Sequence, residues 1–236
     1  GRDLTIIKQI TNEIESVDGV KLLDVDPGAA TNRTVVTFVG TPEAVMEAAY
    51  KAIVKAGEII DMSKHKGEHA RMGATDVCPL IPVANISMEE TSQWAVKLAK
   101  RVGETTHIPT YLYGASQPNT KRNVLSIIRT GEYEGFFEKI KRPEWKPDFG
   151  PATYSARSGA TVIGARDFLI AYNINLNTTS TRIANRIAFD VRETGRVVRE
   201  GNPFTGKIKT DEHGEPVRIP GTCKAVQAVG WYIDEY

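Results

Sequence analysis

The residues best equipped for chemistry lie in one stretch, "DMSKHKGEHARMGATD" at 61–76. It combines two imidazoles, three cations, three carboxylates and two glycines. His65-Lys66-Gly67-Glu68-His69 fits the H-x-x-E-H pattern of one class of zinc peptidase, in which two histidines on one helical face hold the metal. Two other chemistries are open to the same residues. A neutral imidazole, titrating near about 6.5, can take a proton and give it back. The stretch can also be a solvated loop with two ordinary histidines.

The metal reading requires both histidines on a helix, one turn apart. Gly67 lies between them and Gly73 follows, and each costs roughly 1 kcal/mol relative to alanine in a helix. Apolar periodicity ends at Ile60, so the segment reads as a loop and the helical geometry is lost. A third ligand would have to come from Glu132, Glu134, Glu138 or Glu144, with nothing in the spacing to choose among them. No metal is therefore expected. A polar loop joining a helix to a strand is where active-site groups collect. His107 and His213 read as surface residues.

The elements around the loop follow from periodicity and end signals. Ile6, Ile7, Ile10, Ile14 and Val17 predict a helix over 3–17, closed by Gly19. "VKLLDVD" (20–26) and "RTVVTFVG" (33–40) predict strands joined by the turn "PGAATN". Thr41 caps a helix with Pro42 at its first position, running to about Ile60. "VCPLIPV" (77–83) predicts a strand, Ser87-Met88-Glu89-Glu90 a capping box opening a helix to about Gly103, and "TYLYG" (110–114) a strand. Residues 121–140 are helical in part, and the proline-rich 141–151 reads as a linker. Beyond it, "ATVIGAR" and "FLIAYNINL" (168–176) predict strand, 180–194 a helix, 195–222 a long loop and "CKAVQAVGWYID" (223–234) a last strand.

The element order is α-β-β-α-β, linker, β-α-β. It predicts an α+β chain made of one and a half βαββαβ units. The expected domains are 1–150, carrying the polar loop, and 151–236, an incomplete second unit. The chain has 236 residues, 41% of them hydrophobic, and a net charge of +1. That balance gives no electrostatic footprint for nucleic acid or an anionic membrane. No apolar run approaches the ~18 residues of a membrane span, and no secretory leader is recognised. Cys78 and Cys223 make no disulfide framework, and a reduced, cytoplasmic chain is expected.

Taken together, "LLDVDPGAATNRTVVTFVG", the 61–83 stretch "DMSKHKGEHARMGATDVCPLIPV", "YLYG", "DFGP" with "SGATVIGARDFLIAYNINL", and "KAVQAVGWYIDEY" resemble the formiminotransferase family. The resemblance covers nearly the whole chain. It implies transfer of a formimino group from N-formimino-L-glutamate to N5 of tetrahydrofolate, the co-substrate, in histidine breakdown. It implies two ferredoxin-like subdomains with facing sheets, a homodimer, and small-molecule partners only. Family members carry a strand and an "NFSEG"-like stretch ahead of "GRD" and continue past "GWYIDEY", so both copies are expected to be trimmed. Carried over by motif, the catalytic histidine is His69. The folate segment is Gly150, Pro151, Ala152, Thr153, Tyr154, Ser155, Ala156, Arg157, Ser158 and Gly159, with a further contact at Asp190, Val191 and Arg192. For that reaction Asp26 offers a carboxylate beside a cationic formimino group, or simply caps the turn at Pro27-Gly28. Arg71 and Lys64 suit substrate carboxylates, or plain solvation. Tyr154 suits stacking on a flat ring, and Arg157 and Arg192 suit glutamyl carboxylates. A zinc peptidase and a non-catalytic folate-binding module are the competing readings.

Overall fold

Asp3 opens the first helix. Its carboxylate accepts from the amides of Thr5 and Ile6 at 2.8 and 3.2 Å, and α1 runs Leu4–Glu15 with Ile7, Thr11 and Ile14 buried. A computed structural model describes residues 1–203 and 205–233. Strands β1 (Val20–Gly28) and β2 (Arg33–Gly40) form an antiparallel ribbon, with a bulge between Leu22 and Asp24. Thr41 and Pro42 start α2 (Pro42–Ile59) as the sequence predicts. After the polar loop come β3 (Val77–Leu80), then α3 (Met88–Thr106), whose Ser87–Glu90 capping box is formed at both ends. β4 (Thr110–Gly114), α4 (Leu125–Arg129), α5 (Glu132–Lys139) and β5 (Thr161–Ala165) follow.

β5 is the centre of a parallel sheet ordered β3-β5-β4. Leu112, Ile163 and Ala165 pack on one face with Ile53 of α2 and Leu98 and Val102 of α3. Tyr111, Tyr113 and Val162 pack on the other with Ile128 and Phe136 of α4 and α5. A parallel sheet covered on both faces explains why β4 and β5 read as continuous apolar runs. Met72, with no exposed surface, drives the polar loop's far end into the second of these clusters.

Three expectations are corrected. Two compact units are present, residues 1–170 and 171–236, so the division falls twenty residues beyond the expected 150/151. The reason is β5: it completes the first unit's sheet by pairing with both β3 and β4. The expected linker belongs to that unit as well, with Phe149 and Thr110 exchanging backbone hydrogen bonds at 3.2 and 3.0 Å. Second, 168–176 forms no strand. It keeps the alternation of one, yet Phe168, Ile170, Tyr172 and Ile174 are 69–91% exposed. Alternation marks a surface suited to a ladder but does not supply a partner strand. Third, 223–233 is irregular, and Asp234 of the expected last strand lies outside the described residues. The second unit, taken by itself, holds α6 (Thr181–Val191) and a two-residue antiparallel pair, β6 (Arg196–Val197) with β7 (Arg218–Ile219), inside the expected loop.

The "DFG" string is structural. Asp148 accepts from the Leu112 amide at 2.9 Å, from Gln117 Nε2 at 3.1 and 3.2 Å, and from Arg122 at 3.0 Å. Replacing Asp148 with Ala should cost about 2–4 kcal/mol, because an amide and a guanidinium, both largely buried, lose their acceptor together. A urea titration should show the midpoint falling with an unchanged slope, and an unchanged midpoint would refute the role.

Candidate active site

The polar loop is not helical at its histidines. After a single 3₁₀ turn, Met62–Lys64, the chain runs irregularly to Thr75. Three hydrogen bonds tie this run to the β1–β2 turn. Asn32 Nδ2 donates to Lys66 O at 2.8 Å, His65 Nε2 donates to Asn32 O at 2.8 Å, and the Glu68 amide donates to Ala30 O at 3.2 Å. Asn32 takes a left-handed conformation (φ 46°), which asparagine tolerates better than most residues. Gly67 is required by closeness: a Cβ there would lie 2.3 Å from Thr31 O.

The two histidines differ in kind. His65 spends its Nε2–H on a carbonyl, its Nδ1 is buried, and burial lowers its basicity. His69 uses the other nitrogen: Nδ1–H donates to Ala70 O at 2.6 Å. A carbonyl can only accept, so this bond fixes the tautomer and leaves the lone pair of the neutral ring on Nε2. Burial, then the nearby guanidinium of Arg33, hold His69 below the usual histidine range. Rings bonded through opposite nitrogens on an irregular loop are not the paired ligands of an H-x-x-E-H helix.

Arg71 is already engaged. Its side chain is 10% exposed and meets Glu134 at 2.7 and 2.9 Å, Glu132 at 3.2 Å and His65 O at 3.1 Å. The Tyr133 amide closes the arrangement by donating to Arg71 O at 2.8 Å. Lys66 adds a second cation to Glu134 at 3.1 Å. Together they hold the Glu134 carboxyl down to about 2. Further along, Asp76 accepts from the Met72 amide at 2.9 Å and pairs with Arg129.

The 150–159 segment reaches the same loop. The Met62 amide donates to Arg157 O (2.9 Å), Ala74 to Ser158 O (2.8 Å), and Ala160 to Met72 O (3.1 Å). Gly159 (φ 67°) sits against Gly73, and a Cβ on Gly159 would lie 2.1 Å from Met72 O. Tyr154 is packed rather than presented: its ring is 4.0 Å from that of Phe137, and its hydroxyl donates to Tyr133 O at 3.0 Å. Arg157 donates to Glu58 O at 2.7 Å. Gly150 (φ 82°) abuts Gly103, while Pro151, Ala152, Thr153, Ser155 and Ala156 lie between in an irregular run.

Asp26 stands on β1 opposite Val35, exposed, with no hydrogen bond or ion pair among the described residues. Asp190, Val191 and Arg192 belong to the second unit, at the end of α6. Asp190 O and Val191 O accept from the Thr222 and Cys223 amides at 2.9 and 3.0 Å. The Asp190 carboxylate pairs with Arg196 at 3.4 Å, and Arg192 donates to Gly195 O at 2.9 Å. An open cavity of about 650 Å³ lies beside the Arg71–Glu134 pair, between Lys66, Glu68, Arg71, Glu132 and Glu134. Neither His69 nor Asp26 lines it.

Residues 1–166 match the formiminotransferase domain, N-terminal subdomain, and residues 171–236 match the formiminotransferase domain. The chain belongs to the formiminotransferase family. It is 48% identical over 235 residues to a formimidoyltransferase-cyclodeaminase of Gallus gallus, covering all of this chain and 40% of that protein. It is 46% identical over 194 residues to a glutamate formimidoyltransferase of Thermoplasma acidophilum, covering 81% of this chain and 64% of that protein. The chain thus spans about two fifths of the length of the bifunctional relatives it matches.

Within this candidate site, the sequence alone points to no role for Asn32, Arg33 or the Asp76–Arg129 pair, and offers Glu134 only as one of four possible metal ligands. Only Asn32, at the tip of a turn, carries a local signal; the others act through distant partners. Protonation should release the Arg71–Glu134 clamp. Glu134 is held low in the folded state, so its contribution is present above about 4.5 and lost as pH falls toward 2. Protection of the 65–72 amides, taken relative to their intrinsic exchange rate at each pH, should fall over that range in the parent chain, and already at neutral pH in Glu134→Gln. Protection insensitive to both changes would rule the clamp out.

Proposed function

We propose that this chain catalyses the transfer of a formimino group from N-formimino-L-glutamate to N5 of tetrahydrofolate, releasing L-glutamate. The observation that carries the reading is the anchoring of His69: its Nδ1–H donates to Ala70 O, so that in the neutral ring Nε2 is the basic atom. The attacking nitrogen forms a bond to the formimino carbon, and the bond from that carbon to the glutamate nitrogen breaks. One proton must leave the attacking nitrogen and one must reach the departing nitrogen. His69 Nε2 can take the first and return it as the second.

Asp26 is the carboxylate we assign to the cationic formimino group. Segment 150–159, with Asp190, Val191 and Arg192, is assigned to the folate. Tyr154, already packed, serves that segment as an anchor more than as a stacking face. Arg71 becomes a positioning residue, since its guanidinium is engaged by two glutamates. The order α1-β1-β2-α2-β3 supports a ferredoxin-like reading of the first unit. The same proposal places the chain in a cytoplasmic homodimer acting in histidine breakdown, with no metal.

Turnover of formiminoglutamate with tetrahydrofolate is the direct test. His69→Ala should lower it by about 100- to 10,000-fold, the range for a lost general base, and His65→Ala should do less. The reverse order would mean that the wrong histidine was chosen. Folate binding without turnover in the parent chain would favour a binding module instead. Because His69 must be neutral to accept a proton and is held low, the acid limb of kcat/KM should fall below about pH 6.5. A limb at or above that value contradicts the assignment.

A further inference from the structure

The β1–β2 ribbon has one face packed on α1 and α2 and one face exposed. The register pairs Asp26 with Val35 and Gly28 with Arg33, so Asp24, Asp26, Arg33, Val35 and Thr37 share the exposed face. Asp26 and Arg33 are diagonal neighbours on it, about 7–8 Å apart at the backbone. Arg33 makes no ion pair or side-chain hydrogen bond among the described residues. Other guanidiniums around the loop are engaged: Arg71 by Glu132 and Glu134, and Arg129 by Asp76. Arg33 directly follows Asn32, the residue that bonds both His65 and Lys66. The cation therefore stands beside the catalytic loop, on the same face as the carboxylate of Asp26, which makes no hydrogen bond among the described residues and lies within electrostatic reach of the Gly1 ammonium.

We propose that Arg33 binds a carboxylate of the formimino donor, so that Asp26 and Arg33 together orient one molecule carrying a cationic formimino group and glutamyl carboxylates. This rests on the formiminotransferase reading. The geometry favours the donor over the glutamyl tail of the folate. Only the donor carries both charges within one small molecule, and the ribbon face presents both complements a single diagonal apart. A guanidinium suits a carboxylate because it donates two parallel hydrogen bonds. The charge of Arg33 also reaches the His69 imidazole and favours its neutral form, the form that accepts a proton.

The test uses Arg33→Gln and Arg33→Lys in the whole chain. Arg33 is exposed, so both should keep the parent's thermal transition. In Arg33→Gln the KM for formiminoglutamate and the inhibition constant of L-glutamate should both rise by about 10- to 100-fold, the loss typical of a charge-assisted contact. The KM for tetrahydrofolate should not change, and Arg33→Lys should recover part of the loss. A rise in the tetrahydrofolate KM alone, or no rise in either, overturns the proposal. Two further readouts do not depend on turnover. Calorimetric binding of L-glutamate should weaken in Arg33→Gln. The His69 imidazole, followed by NMR, should titrate higher in Arg33→Gln and unchanged in Arg33→Lys. If the parent chain shows no turnover, the functional reading fails, and these two measurements still decide whether Arg33 holds a carboxylate beside His69. An unmoved His69 titration would place Arg33 elsewhere and end the proposal.

Discussion

Two backbone hydrogen bonds hold the site together: Ala74 N to Ser158 O and Ala160 N to Met72 O. They join the end of the histidine loop to the segment that leads into β5, the central strand of the only three-stranded sheet among the described residues. The joint tolerates no side chain. A Cβ on Gly73 would lie 2.2 Å from Ala160 O, and one on Gly159 would lie 2.1 Å from Met72 O. Because Met72 is buried in the core beside Val162, the loop inherits the rigidity of the sheet. Loops are usually the mobile part of a fold. This one is held at its end by the core and in its middle by the β1–β2 turn, so a histidine between the two anchors has a defined position.

The charges sort themselves by whether the fold has already used them. Arg71, Arg129 and Arg122 each sit 10–17% exposed, facing carboxylates that neutralise them. A cation at that depth needs such a partner to offset lost hydration. Asp26 and Arg33 are exposed and make no direct ion pair within the described residues. Charges left in solvent without a direct partner cost the fold little and remain available to a ligand. Charge type alone put Arg71 among the substrate contacts; burial and its partners put it among the groups that hold the loop.

Much of the architecture was legible from residue order. Caps, turns and apolar periodicity located α1, β1, β2, α2, α3 and β4 close to their observed limits, because each of these signals is local. What failed was long-range. "ATVIGA" reads as a strand at any position, but nothing local says that it pairs with 77–80 and 110–114 rather than with the chain that follows it. Segments 168–176 and 223–233 have strand composition, and composition cannot provide the ladder partner that makes a strand. The same limit applies at the site. The histidines announce themselves, whereas Glu134 matters only because folding brings it to a loop more than sixty residues away.

The H-x-x-E-H string shows how one spacing can serve two chemistries. On a helix, positions i and i+4 project side by side and two imidazoles converge on one ion. Here Gly67 lets the chain press against Thr31, and the two rings are bonded through opposite nitrogens to different carbonyls. His65 becomes a strut between the loop and the β1–β2 turn. His69 keeps its basic nitrogen on the other side of the ring from its anchor. Burial and Arg33 keep that nitrogen unprotonated near neutrality, and the neighbouring carbonyl fixes which nitrogen it is. Gly67, by letting the loop press against the β1–β2 turn, helps set the two histidines in different roles, one that positions and one that can exchange protons.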